Sequence, residues 1–339
     1  MAILLPLQTI VTVIAGVVAL AAAVGQTSAQ SADTGPLQLE TKIPLGEVRG
    51  RIDHMAVDLE RQRLFVAELG NDSLGVIDLA DRKLIRTIAG LKEPQGVGYE
   101  HSTDTLYVAN AGDGSVRLFE GSDYNSAGRI ELGSDADNIR VDPATKRVFI
   151  GYGSGALAVI DPSTRGKVGD IPLKAHPESF QIDPNTNRIF VNLPDARSIA
   201  VVDRISQKEI GKWTLTDQGA NFPMALDHVR RLVLVMFRAP AELGVFSMTD
   251  GKLVATPETC ADADDLFIDA KRSRVYVSCG AGFLDVLEAN EVAYRRIARI
   301  PTVSGARTSL FVPELDRLLV AVRSTSGEPA AVWVFRPMP

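Results

Sequence analysis

Charged side chains are missing from the first 32 residues of this 339-residue chain. Ala2 to Val24 is mostly apolar, with Pro6, Gln8, Thr9 and Thr12 as its main interruptions. Residues 1–29 therefore read as an export segment, with Thr27 and Ala29 as the small residues before a cleavage point at Gln30. The Lys or Arg that usually opens a signal peptide is also missing. An uncleaved anchor is the alternative, since the run is nearly long enough to span a bilayer. On either reading, the folded part, residues 37–339 after a linker at 30–36, is expected to be periplasmic or secreted. Beyond this segment no stretch suits membrane insertion.

Other absences narrow the function. There is no run of Lys or Arg, and the net charge is −6. Both argue against a nucleic-acid partner, because phosphate binding needs clustered cations. Only two cysteines occur, Cys260 and Cys279, and their spacing fits no metal or haem-attachment motif. In an oxidising compartment they read as a disulfide; two buried thiols are the alternative. Four histidines (54, 101, 176, 228) are too few for a multi-histidine metal cluster. His101 and His228 fall in expected turns, exposed and inert. No phosphate-binding P-loop is present, and Gly153-Ser154-Gly155 does not complete a nucleophile elbow. Apolar residues at helical spacing are absent too.

What is present is a repeat. The runs Leu64–Ala67, Leu106–Ala109, Val148–Gly151, Ile189–Asn192, Leu232–Val235, Val275–Ser278 and Leu318–Ala321 begin 42, 42, 41, 43, 43 and 43 residues apart. Each is β-branched or aromatic and of strand length. Most follow a turn rich in Asp, Pro and Asn, whose side chains bond the local backbone or preset φ. Third strands follow, as at Leu74–Asp78 and Leu157–Asp161, and a fourth, as at Lys83–Ile88. Four short antiparallel strands per unit make a propeller blade. The expected fold is all-β: a seven-bladed β-propeller of four-stranded antiparallel blades. The last unit supplies only three strands, near 309–312, 318–322 and 331–335. Leu37–Ile43 matches the fourth-strand type and is expected to complete that blade, since an open ring would expose strand edges.

Leu106-Tyr107-Val108-Ala109-Asn110, the repeated Val-Ile-Asp of Val76–Asp78 and Val159–Asp161, and Lys83–Ile88 give the chain its likeness. It resembles the YVTN-repeat β-propeller family over essentially all of the mature chain. The resemblance implies a seven-bladed, often periplasmic, binding propeller. The Trp-Asp and Gly-His marks of WD40 repeats are absent.

In a propeller the residues before each first strand sit at one mouth of the central channel. Counting eleven back from each repeat anchor gives Asp53, Gln95, Asp137, Glu178, Asn221, Asp264 and Arg307, all polar. The next positions are His54, Gly96, Asn138, Ser179, Phe222, Asp265 and Thr308, with a one-residue slip possible in the fifth blade. Asp53, Asp137, Glu178, Asp264 and Asp265 would converge on one axis. Crowded carboxylates either raise one another's pKa or are neutralised by a cation. Oxygen ligands suit Ca²⁺ or Mg²⁺, and imidazole at His54 or His176 would admit Zn²⁺. The plainer reading is polar side chains satisfying a wet channel. His176-Pro177-Glu178-Ser179 is a base-and-orienter fragment or a shaped loop. Asn221–Met224 walls a pocket or plugs the channel. Arg307 holds a ligand anion through its fork, or pairs with Asp264.

These residues point first to a binding or interaction propeller. Its ligand site would comprise His54, Gln95, Asn138, His176, Asn221 and Arg307, and its partner would be a small polar ligand or another protein, met as a monomer. A metal-dependent hydrolase of the lactonase kind, using the same acidic ring, is the rival. No nucleophile paired to a base is found, so no catalytic residue is assigned.

Overall fold

The structure, a computed structural model, describes residues 1–2, 35–291 and 293–339. The export segment, its cleavage point and most of the linker lie outside the described residues. Among the described residues no helix is long and apolar enough to cross a membrane.

The short β-branched runs and their Asp-rich turns fold as antiparallel hairpins joined in series. Among the described residues, 28 strands form seven four-stranded sheets. Blade 1 is typical: Met55–Asp58, Arg63–Glu68, Ser73–Asp78 and Lys83–Ala89 pair in sequence order. The innermost strands of blades 2 to 7 are Pro94–Glu100, Ala136–Val141, Ser179–Asp183, Gly219–Asp227, Ala263–Asp269 and Thr308–Val312. Blade 7 continues with Arg317–Val322 and Ala331–Pro337, and its outer strand is Leu37–Pro44. Leu37 pairs with Pro337 and Ile43 with Val332, so the first strand closes the last blade as the repeat count requires.

The core lies between the blades. Phe65, Leu106, Val108 and Tyr124 pack where blades 1 and 2 meet. Ile43, Leu64, Ile77, Leu319 and Val332 pack where blade 7 meets blade 1. Full burial of one such aliphatic side chain stabilises by roughly 1.5–3 kcal/mol. The closing strand therefore holds the ring through packing as well as through its hydrogen bonds.

Blade 5 is out of step with the repeat. Leu232 pairs with Asp227, as Arg63 pairs with Asp58. The structural equivalent of Leu64 is therefore Val233, and the mouth position in blade 5 is Phe222 instead of Asn221.

Candidate binding site

Five of the seven inner strands enter the channel through an irregularity; those of blades 4 and 7 pair in continuous register. Pairing shifts between Pro94 and Val97, Ala136 and Ile139, Asn221 and Met224, and Ala263 and Asp265. In blade 1, Asp53 N donates to Ala67 O at 2.8 Å while Ala67 N donates to His54 O at 3.1 Å, so two residues face one. Bulges re-aim side chains, and here they turn the mouth residues inward. Gly96 has a separate reason: a Cβ there would stand 2.0 Å from Asp137 O, so only glycine lets blade 3 bring Asp137 this close.

The mouth is a cavity of about 240 Å³ lined by Gln95, Asp135, Asp137, His176, Glu178, Phe222 and Asp264, with three arginines, Arg51, Arg238 and Arg307. Spacing alone puts one cation, Arg307, in the ring, and the fold adds Arg51 and Arg238. Arg51 meets Asp53 at 2.7 Å. Arg238 and Arg307 clasp Asp264 from two sides, at 2.5 and 2.8 Å, and Arg307 also reaches Asp262 at 2.9 Å. The Arg238 guanidinium lies 3.7 Å from the Phe222 ring centroid, a cation–π contact that fixes the ring as a wall. Cys260 and Cys279 form a disulfide with Cα atoms 5.9 Å apart, next to the segment carrying Asp262 and Asp264. For a loop of this size such a link contributes roughly 3 kcal/mol.

Behind the mouth the channel narrows to a neck of Asp53, His54, Asp137, Asn138 and Ser179. His54 stands 3.8 Å from Asp53, 4.0 Å from Asp137 and 3.9 Å from Asp265. His176 lies above it, 3.4 Å from Asp135 and 3.9 Å from Asp137, with Nδ1 2.6 Å from Gly153 O. Burial disfavours a charged imidazole at both positions. The surrounding carboxylates outweigh it: His54 is held above its ordinary pKa and His176 is pushed up to about 9. Burial raises the carboxyls as well, Asp53 to about 6, Glu178 and Asp265 to about 7.

Asp53 Oδ2 meets Arg51; three other buried oxygens in this neck have neither a hydrogen-bond partner nor an arginine: Asp137 Oδ1, Asn138 Oδ1 and Ser179 Oγ. Asn138 spends its Nδ2 on Glu178 O, which leaves its carbonyl oxygen free. An unsatisfied buried polar group costs about 1–3 kcal/mol, so a donor placed here recovers that cost.

The structure brings His54, Gln95, Asn138, His176 and Arg307 to one mouth with Asp53, Asp137, Glu178, Asp264 and Asp265. Asn221 is turned away: it is fully buried, and its Nδ2 donates to Asn192 Oδ1 and Ser198 O. Its place is taken by Phe222, following the register shift of blade 5. Among the described residues no three His, Cys, Asp or Glu side chains are gathered as a metal-binding group, and arginines pair with Asp53 and Asp264. The reading missed Arg51 because it precedes the repeat. It missed Arg238 because Leu232–Ala239 is two residues longer than Arg63–Glu68 and carries that side chain to the mouth. His228 falls in a turn and is exposed, as expected; it also lines the far part of the channel, 3.7 Å from Asp183.

No family model and no curated protein matches the chain. Among solved structures it is similar to Kuenenia stuttgartiensis hydrazine synthase, at 17% identity and a TM-score of 0.75, covering 86% of this chain and 96% of that one. A chain in the crystal structure of a mitotic checkpoint complex is similar at 13% identity and a TM-score of 0.71, covering 87% and 95%. In all, 1734 solved chains match, and at such identities the likeness shows the seven-bladed propeller alone.

Proposed function

We propose that this chain is an exported propeller of the YVTN-repeat kind that binds a small organic cation, a protonated amine, at the mouth of its channel. The observation that carries the reading is the set of orphaned oxygens at the neck, Asp137 Oδ1, Asn138 Oδ1 and Ser179 Oγ. They are two acceptors and a hydroxyl, waiting for N–H donors. Around mouth and neck Asp53, Asp135, Asp137, Glu178 and Asp264 stand among Arg51, Arg238, Arg307 and the imidazoles of His54 and His176, so the open acceptors decide the choice and the charge count does not. Because the acidic side chains are distributed over mouth and neck and no three gather as a metal group among the described residues, an elongated cation with several N–H groups fits better than a single metal ion. A hydrolase reading would need carboxylates gathered on one ion, and the ring is not so arranged.

Isothermal titration near neutral pH tests this with putrescine, its neutral analogue butanediol, the dianion succinate, and Ca²⁺. The expected result is saturable binding of putrescine alone, lost in Asp137→Asn. Binding of succinate or butanediol as tight as that of putrescine would overturn the reading. Tighter binding of Ca²⁺ would replace the organic cation with a metal.

A further inference from the structure

Beyond the neck the channel widens into a second cavity of about 630 Å³. This lies within the range of roughly 300–1,000 Å³ typical of small-molecule sites. Val57, Val141, Ile182, Leu226, Ile268 and Leu310 line it toward the ends of the inner strands. Each is only partly buried, packing one side against the blade core and leaving the rest open to the cavity. His228, whose side chain is 46% exposed, marks where the cavity reaches solvent at the face opposite the mouth.

At the head of this chamber, just under the neck, is Arg140. Its Nη1 donates to Ile139 O at 2.8 Å, and its guanidinium lies 5.8 Å from the Phe180 ring centroid. Arg51, Arg238 and Arg307 each have a carboxylate partner at the mouth. Arg140 has none among the described residues, although a guanidinium carries five N–H donors in a planar fork. Burial depresses its pKa, against the more distant Asp265 and Asp137, as it does for a cation short of compensation. Asp265 is engaged elsewhere: its Oδ2 accepts from Ser309 N at 2.7 Å and its Oδ1 faces His54.

We propose that the chamber is a second binding site, for a small anion with an apolar body. Arg140 receives the carboxylate or similar oxyanion head in its open fork. The aliphatic wall covers the body, as the loss of water from apolar surface favours. The two halves of one channel thus select opposite charges, a cation at the acidic mouth and an amphipathic anion behind it.

Titration calorimetry with phenylbutyrate, phenylbutanol and phenylbutylamine tests the proposal on the wild-type protein and on Arg140→Gln, Arg140→Lys and Asp137→Asn. Phenylbutyrate is expected to bind the wild type best of the three. Arg140→Gln should weaken it by about 10- to 100-fold, the effect of losing a charged hydrogen bond in a dry site, with Arg140→Lys in between. Asp137→Asn, which removes the cation site at the neck, should retain it. Equal binding of the acid, alcohol and amine by the wild type overturns the proposal without recourse to a variant. So does the absence of binding by all three, or unchanged binding of phenylbutyrate to folded Arg140→Gln.

Discussion

Two rings of carboxyl groups sit at opposite ends of the same inner strands, and they are opposites in chemistry. The mouth ring, eleven residues before each anchor, is the site described above. The other ring lies six residues before: Asp58, Glu100, Asp142, Asp183 and Asp269, with Asp227 in the shifted blade 5, all buried. Every member of this second ring is occupied by its own turn. Asp58 accepts from Glu60 N and Arg61 N at 3.0 and 3.2 Å, and Glu100 from Ser102 N and Thr103 N at 3.0 and 2.9 Å. Several also hold an arginine three residues on, as Asp269 holds Arg272 at 2.9 Å, and Arg272 then crosses to Asp316 of blade 7 at 2.7 Å. Burial works to raise Glu100 and Asp142, but local donors outweigh it and hold both below the ordinary range. At the mouth burial prevails, so Asp53, Glu178 and Asp265 are raised. The same residue type at equal depth is a strut where its oxygens are satisfied and a binding group where they are not.

The sharpest break between the rings should come from removing one carboxylate in each. Asp142 is fully buried and pairs with Arg204, itself 6% exposed, whose other nitrogen donates to Asn187 Oδ1 at 2.5 Å. Asp142→Ala leaves that guanidinium buried without its partner and should cost about 3–5 kcal/mol in a denaturant titration. Asp137→Asn removes repulsion with Asp53 and Glu178 and attraction to His54 and His176 together, opposing effects that should leave stability within about 1 kcal/mol of wild type. Comparable losses from both would erase the distinction between strut and site.

A smaller effect distinguishes the rings by pH. A carboxyl raised in the fold stabilises in its protonated form. For Glu178, raised from 4.5 to about 7, that contribution is whole below 4.5 and is lost as pH climbs through 7. His176, raised from 6.5 to about 9, adds a term that is full below 6.5 and gone above 9. Lowered groups such as Asp142 act in reverse, losing their contribution only in acid. Glu178→Gln keeps the neutral form at every pH. It should therefore gain about 3 kcal/mol over wild type near pH 8 and nothing near pH 4, read from melting curves across that range. A gain independent of pH would show that Glu178 is not strained by its charge.

Much of this was legible in the sequence. The 42-residue spacing set the blade count, and Leu37–Ile43 revealed the closing strand because the last unit is one strand short. The mouth was found by counting, since equal positions in equal blades are related by the ring. Counting failed where the repeat does. The extra residue in blade 5 put Phe222 where Asn221 was expected, and Arg51 and Arg238 come from segments outside the shared pattern. Arg140 was within reach of the same count: eight residues before the anchor, it stands where other blades carry Ala56, Gly98, Gln181, Phe267 and Leu310. The ion pairing that divides the carboxylates between arginine and solvent is a matter of side-chain reach, which spacing does not encode.

The account's central claim is that the mouth receives a cation, which draws protons off Glu178 and Asp265 as it arrives, because burial holds both partly protonated near neutral pH. Proton release on binding tests it most directly. Putrescine is titrated near pH 7 in buffers of different ionisation enthalpy, so that the dependence of the observed heat on buffer counts the protons exchanged. Because Glu178 and Asp265 both have pKa values of about 7, the account predicts net proton release into the buffer, reduced in Glu178→Gln. Binding with a heat that does not vary between buffers, or proton uptake, would contradict it.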